Sequence, residues 1–127
     1  MKRINLPSDG DADFPYSQAV EDDGLLFISG QLAADSPSWA GEAGDIESET
    51  QEAMNRIGAL LAAAGSSLEN VLKVNIFMTD MSQGARMDAV FRTFFPQGLP
   101  ARTTVGVVAL FNGGNIEIEC IARGPRS

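Results

Sequence analysis

The chain has 127 residues, of which 9 are basic, 17 acidic and none histidine. A formal net charge of −8 opposes binding to nucleic acid, because that affinity rests on lysine and arginine neutralising phosphates. The missing imidazole excludes serine–histidine triads and histidine-ligated zinc, while 44% hydrophobic against 20% charged residues describes one folded core, a single domain over 1–127.

The opening segment MKRINLPSDGDADFP lacks the apolar centre of a signal peptide. Runs such as VGVVALF and ALLAAAG fall far short of the ~20 apolar residues of a membrane helix. The expectation is a cytoplasmic chain with no membrane partner. The lone Cys120 rules out an internal disulfide and agrees with a reducing compartment.

Residues 17–30, SQAVEDDGLLFISG, read as two strands around an Asp-Asp-Gly turn. The following QLAADSPSWAGEAGD has no periodicity and reads as a loop, with Trp39 as a local packing anchor and Asp45 as the N-cap of a helix. From Ile46 to Ala64 the positions Ala53, Met54, Ile57, Leu60, Leu61 and Ala64 recur at three and four residues, and Gly65 stands where a left-handed cap belongs. In ENVLKVNIFMTD, Leu72, Val74, Ile76 and Met78 alternate with Lys73, Asn75 and Thr79, the period of a half-buried strand. Phe77 interrupts the polar side, as it would if that face were also partly covered.

Asp80 or Ser82 can cap a second helix whose stripe is Met87, Val90, Phe91 and Phe94, stopped by Pro96 and Gly98. Two strands follow, about 101–109 and 115–122, joined by FNGGN, whose Asn and Gly residues suit the positive φ values of a hairpin turn. The order strand, strand, helix, strand, helix, strand, strand predicts an α+β fold, one mixed sheet with two helices on one face. The opposite face also needs cover, which a second subunit would supply.

In NIEIECIA, Ile116, Ile118 and Cys120 project to one side and Glu117 and Glu119 to the other. Such a Glu-x-Glu strand is either a solvated edge or a pair of carboxylates facing a site, and Cys120 reads as a small buried residue. Arg102, just after Pro100 on the strand expected to pair with it, comes near the level of Glu117–Glu119. Two roles stay open for it: a cross-strand ion pair worth ~0.2–1 kcal/mol, or a planar, bidentate clamp for a small carboxylate.

The segments FPYSQAV, LLFISGQ, EAMNRIGALLAAAGSSLENVLKVNIFMTDM, FRTFFPQGLPARTTV and IEIECIA, in that order, resemble the YjgF/RidA family of reactive-intermediate deaminases. The most specific parts are Pro100-Ala101-Arg102 and Ile116-Glu117-Ile118-Glu119. The resemblance implies a chorismate-mutase-like subunit in a homotrimer whose sheets form a central barrel, with ligand clefts between subunits. It also implies hydrolysis of small carboxylate-bearing 2-enamino and 2-imino acids to 2-keto acids and ammonia, with no cofactor and no metal. Carried over by motif, Arg102 holds the substrate carboxylate and Glu117 positions or activates the attacking water. Tyr16 walls the cleft, and Ser29 and Gly30 lie near the ligand.

The chain departs from the family pattern at the cleft. Phe14 replaces a glycine before Pro15-Tyr16, Thr103 and Thr104 replace a small residue and a frequent cysteine, and Asp88 stands where asparagine is common. Asp88 and Thr104 are thereby expected at the binding site, while Val107-Val108-Ala109-Leu110-Phe111 replaces Val-Ala-Arg-Leu-Pro. Alternatives to the deaminase are a non-catalytic module binding a carboxylate metabolite and a pathway-specific deaminase of the aminomuconate or aminoacrylate type. An endoribonuclease or translation inhibitor fits poorly with the charge and the lack of a basic or aromatic RNA platform.

Overall fold

The structure is a computed structural model that describes residues 1–7 and 14–125. Strand β1 (Lys2–Ile4) pairs antiparallel with β2 (Ala19–Asp22), and β2 pairs antiparallel with β3 (Leu25–Gln31). The β2–β3 turn is the one expected from Asp-Asp-Gly: Asp23 and Gly24 both have positive φ, 51° and 79°, which matches the right-handed twist of the flanking strands. The β1 strand has no counterpart among the elements expected from sequence.

Helix α1 (Ile46–Ala63) starts after Asp45, whose backbone carbonyl accepts from Glu49 N at 3.0 Å. The Asp45 carboxylate accepts from Ser48 Oγ at 2.8 Å and caps no helix N–H. The far end closes as expected: Gly65 has φ 79°, Gly65 N donates to Ala62 O at 3.0 Å and Ser66 N to Leu61 O at 2.8 Å. That double bond pattern satisfies carbonyls the helix would otherwise leave open.

Strand β4 (Val71–Met78) follows, then helix α2 (Gly84–Arg92), β5 (Ala101–Gly106) and β6 (Ile116–Arg123). Asp80 caps a tight turn over Met81–Gln83, accepting from Ser82 N at 3.0 Å, and this turn leads into α2. The sheet order is β1-β2-β3-β6-β4-β5, with β5 parallel to β4 and β6 antiparallel to both β3 and β4. The predicted β5–β6 hairpin is therefore absent: β4 lies between the two strands. Positive φ values do occur at Asn112 (56°) and Gly113 (68°), but in a tight turn over Phe111–Gly113 that feeds β6 into the sheet centre.

Both helices pack on one face, as expected. Leu26 and Ile28 of β3, Val74, Ile76 and Met78 of β4, and Ile116, Ile118 and Cys120 of β6 meet Ile57, Leu60 and Leu61 of α1 and Met87 and Phe91 of α2. Full burial of each large side chain is worth ~1.5–3 kcal/mol. Two details differ from the periodic reading. The register slips between Val71 and Lys73, so Val71 is buried and Leu72 is 41% exposed. In the α2 stripe Phe95 replaces Phe94 as the buried residue, its ring tilted 42° against that of Phe91 with centres 5.0 Å apart, because the chain continues past Arg92 in tight turns. Among the described residues no helix is long and apolar enough to cross a membrane.

Candidate functional site

Alternation along β6 sends Ile118 and Cys120 into the core and Glu117 and Glu119 onto the face away from the helices. Cys120 is 3% exposed, and burial together with the neighbouring Glu119 charge pushes its thiol up to about 12, so it is an inert filler, as expected. Glu119 lies opposite Asn75 and accepts from Asn75 Nδ2 at 3.1 Å; Glu117 lies opposite Phe77.

On the other flank of β6, the β3 ladder breaks between Ile28 and Gln31, leaving Ser29 and Gly30 as a bulge. Ser29 N donates to Gln18 O at 2.9 Å and Ser29 Oγ to Ser17 O at 2.8 Å, which pins the bulge to the chain entering β2. Gly30 lies directly against Glu117. A Cβ at Gly30 would stand 2.6 Å from Glu117 Cδ and 2.8 Å from its Oε2, so the absent side chain is the space the carboxylate occupies.

A cleft of about 610 Å³ opens over these residues. Three carboxylates, Asp35, Glu117 and Glu119, line it, and Phe14, Tyr16 and Phe111 form its aromatic part. The Phe14 and Tyr16 rings stack at 5.2 Å and 26°, so the residue that replaces glycine lies directly against the tyrosine. Burial, then the charges of Asp35 and Glu119, raise the Glu117 pKa above the ordinary glutamate range. A carboxylate poised in that way takes a proton more readily near neutral pH than a solvated one. Trp39 does not line the cleft.

Arg102 is elsewhere. It pairs with Val74 across the β4–β5 ladder, which puts its side chain on the helix face at the edge of the sheet. Its guanidinium carbon stands 5.1 Å from the centre of the Phe91 ring, and Nη1 lies 2.8 Å from Asp88 Oδ1. This small cavity, about 190 Å³, also includes Arg92, Leu99 and Pro100. Within one chain Arg102 and Glu117 thus face opposite sides of the sheet with β4 between their strands. The expected cross-strand neighbourhood does not form, because the final strand inserts between β3 and β4 instead of folding back on β5.

Thr104 shares the Arg102 face, and its half-buried side chain has a hydroxyl with no hydrogen-bond partner. Thr103 points the other way and accepts from Lys73 Nζ at 2.7 Å. The sites expected from sequence therefore separate into two groups: Tyr16, Ser29, Gly30 and Glu117 around the cleft, and Asp88, Arg102 and Thr104 on the helix side of the edge strand. Among the described residues no three acidic, cysteine or histidine side chains cluster as a metal site would require.

Two buried polar groups hold the cleft in shape. Glu49 on α1, 3% exposed, accepts from Asn115 N at 3.0 Å, Asn115 Nδ2 at 2.8 Å and Gly44 N at 2.9 Å, fixing the chain two residues before Glu117. Arg56 Nε donates to Gln31 Oε1 at 2.8 Å, and Gln31 Nε2 to Ser29 O at 2.9 Å, bracing the bulge. Neither Asp35 nor Glu49 stood out in the sequence. Asp35 sits in an aperiodic loop, and Glu49 reads as a first-turn acid of α1, favourable to the helix dipole whatever else it does.

A six-stranded mixed sheet backed by two helices, with an acid-bearing aromatic cleft on its open face and an arginine on its edge strand, defines the class as a YjgF-type α+β protein. The sequence model of the endoribonuclease L-PSP family matches residues 8–124, and the chain belongs to this family, the YjgF/RidA proteins. It is 45% identical over 111 residues to a fission-yeast (Schizosaccharomyces pombe) protein named Protein mmf2, mitochondrial, covering 85% of this chain and 86% of that one. It is 38% identical over 112 residues to the 2-iminobutanoate/2-iminopropanoate deaminase of Mus musculus, covering 87% and 83%. Among solved structures, Escherichia coli TdcF with bound serine superposes over 100% of both chains with a TM-score of 0.88 at 29% identity.

Proposed function

We propose that the protein is a hydrolytic deaminase of 2-imino and 2-enamino acids, acting in clefts that form between copies of the chain in a homotrimer. The observation that carries this is Glu117: a carboxylate seated on Gly30, raised in pKa and facing a cleft large enough for a small amino-acid derivative. The mouse relative named as a 2-iminobutanoate/2-iminopropanoate deaminase supports the reaction class.

Arg102 gives the reason for assembly. The acid-bearing cleft repels a carboxylate, and its own chain keeps the guanidinium on the other side of the sheet. The open sheet face meanwhile exposes Leu25 (37%), Phe27 (44%) and Val105 (41%), apolar surface that a second copy would cover. Packing copies by this face brings the edge strand of one to the cleft of the next, where Arg102 clamps the substrate carboxylate and the Thr104 hydroxyl gains a partner.

In the reaction, Glu117 takes a proton from water as the water oxygen bonds to the iminium carbon. The proton passes to nitrogen in the tetrahedral amino alcohol, Glu117 takes the hydroxyl proton as the C–N bond breaks and the carbonyl forms, and the 2-keto acid leaves with ammonia, which carries that last proton off as ammonium. An iminium carbon is already electrophilic, so holding water and substrate in line supplies most of what is needed. The reading takes small acids and not nucleic acid as substrate, given the net charge of −8.

The test is a coupled assay in which an amino-acid oxidase or a threonine dehydratase generates the imine and keto-acid formation is followed. Wild type accelerates formation; Arg102→Ala abolishes it by losing the ligand. Glu117→Gln keeps ligand affinity while turnover drops by about 10²–10⁴-fold. Inert wild type across imines from alanine, leucine and threonine refutes the deaminase and leaves carboxylate binding, measured by calorimetry with 2-ketobutyrate, as the function. Light scattering that gives a monomer refutes the shared cleft.

A further inference from the structure

Arg102 is already engaged. Helix α2 brings Asp88 and Phe91, three residues apart on one face, against the same guanidinium: the ring lies 5.1 Å from its carbon and the carboxylate oxygen 2.8 Å from Nη1. The short contact is an ion pair without hydrogen-bond alignment, for Asp88 Oδ1 is shielded from solvent yet accepts no directed hydrogen bond. The Asp88 side chain is 46% exposed and that of Arg102 28%, so solvent and ligands reach the pair.

We propose that Asp88 is an internal competitor for the carboxylate clamp, holding Arg102 when the cleft is empty and keeping its affinity for carboxylate ligands low. This rests on Arg102 being the clamp. An arginine fork is strongest when it donates two parallel bonds to one carboxylate, and a misaligned carboxylate at 2.8 Å offsets its charge without using that geometry. An incoming carboxylate must displace Asp88 or share the guanidinium with it against like-charge repulsion.

The consequence differs for substrate and product. An iminium acid carries its own positive charge, which relieves the repulsion from Asp88 and from the cleft acids Asp35, Glu117 and Glu119. The 2-keto acid product has lost that charge and is a bare anion. Asp88 therefore weakens product more than substrate, and it is a specificity-determining residue that favours release.

Calorimetry on the assembled protein with 2-ketobutyrate tests this directly. Asp88→Asn keeps the side-chain size and removes the charge, and it is expected to tighten 2-ketobutyrate roughly two- to fivefold, the scale of one partly exposed charge pair. Asp88→Ser is expected to shift affinity in the same direction, which covers the case of one variant folding poorly. The uncharged 2-ketobutyramide distinguishes charge competition from a general change in cleft shape, since its affinity should stay unchanged in both variants. In the coupled assay, product inhibition by 2-ketobutyrate should strengthen more than KM falls. Unchanged or weaker 2-ketobutyrate binding in Asp88→Asn and Asp88→Ser, with binding still lost in Arg102→Ala, overturns the competitor and spares the clamp. Full binding by Arg102→Ala overturns both.

Discussion

Replacing Gly30 by alanine perturbs the cleft at one atom. Gly30 has no positive φ, so the backbone accepts the new residue without strain. The added Cβ, however, would stand 2.6 Å from Glu117 Cδ and 2.9 Å from Cγ, well inside ordinary contact at 3.4 Å. The glutamate side chain is the flexible partner and has to retreat by about 0.8 Å. A displacement of ~1 Å at a reacting group costs on the order of 10²-fold in rate. Gly30→Ala should therefore lower kcat about thirty- to hundredfold in the coupled imine assay. Affinity for 2-ketobutyrate, which the proposed clamp assigns to Arg102, should change by less than about twofold. A Gly30→Ala enzyme with kcat close to wild type would show that Glu117 does not act from the position observed. A parallel loss of ligand affinity would show instead that the methyl group blocks the ligand.

The raised pKa of Glu117 links it to stability and to rate. The folded protein binds the Glu117 proton more tightly than the unfolded chain, so the associated stabilisation is complete below the unfolded pKa of about 4.3 and is lost as pH climbs through the higher folded value. Glu117→Gln should accordingly have a higher Tm than wild type at pH 7, with the gain vanishing below about pH 4 in thermal melts. A Tm difference independent of pH would place the effect elsewhere. Glu49→Ala leaves three donors from Asn115 and Gly44 without their acceptor, and urea denaturation should show a loss of about 2–4 kcal/mol. A loss below about 0.5 kcal/mol would mean that water replaces the carboxylate.

Local elements were legible because their signals are local. The Asp23-Gly24 turn, the α1 stripe closed by Gly65 and the alternation of β6 each follow from residues within a few positions of one another. Strand order was not legible. FNGGN asks for positive φ, and Asn112 and Gly113 supply it, but the same turn serves a hairpin or a chain returning to the sheet centre. What decides is the burial of Ile118 and Cys120 between Ile28 on one side and Val74 and Ile76 on the other, a long-range packing choice. The candidate site divides along the same line. Glu117 and Glu119 were placed on a common face by period alone. That Arg102 faces the helices follows from its pairing with Val74, and that Asp35 lines the cleft follows from the fold of an aperiodic loop; sequence spacing reports neither.

The central place of β6 also governs how the molecule comes into being. The strand that carries Glu117 bridges β3 to β4, so until it docks the chain holds two separate ribbons with exposed edges. The elements translated earlier cannot close the sheet without it, and the contacts that do so span most of the sequence, which makes closure slow and cooperative. The Glu117 carboxylate thus arrives with the step that completes the core. A partly folded chain lacks the closed sheet, and with it the cleft whose floor β6 supplies.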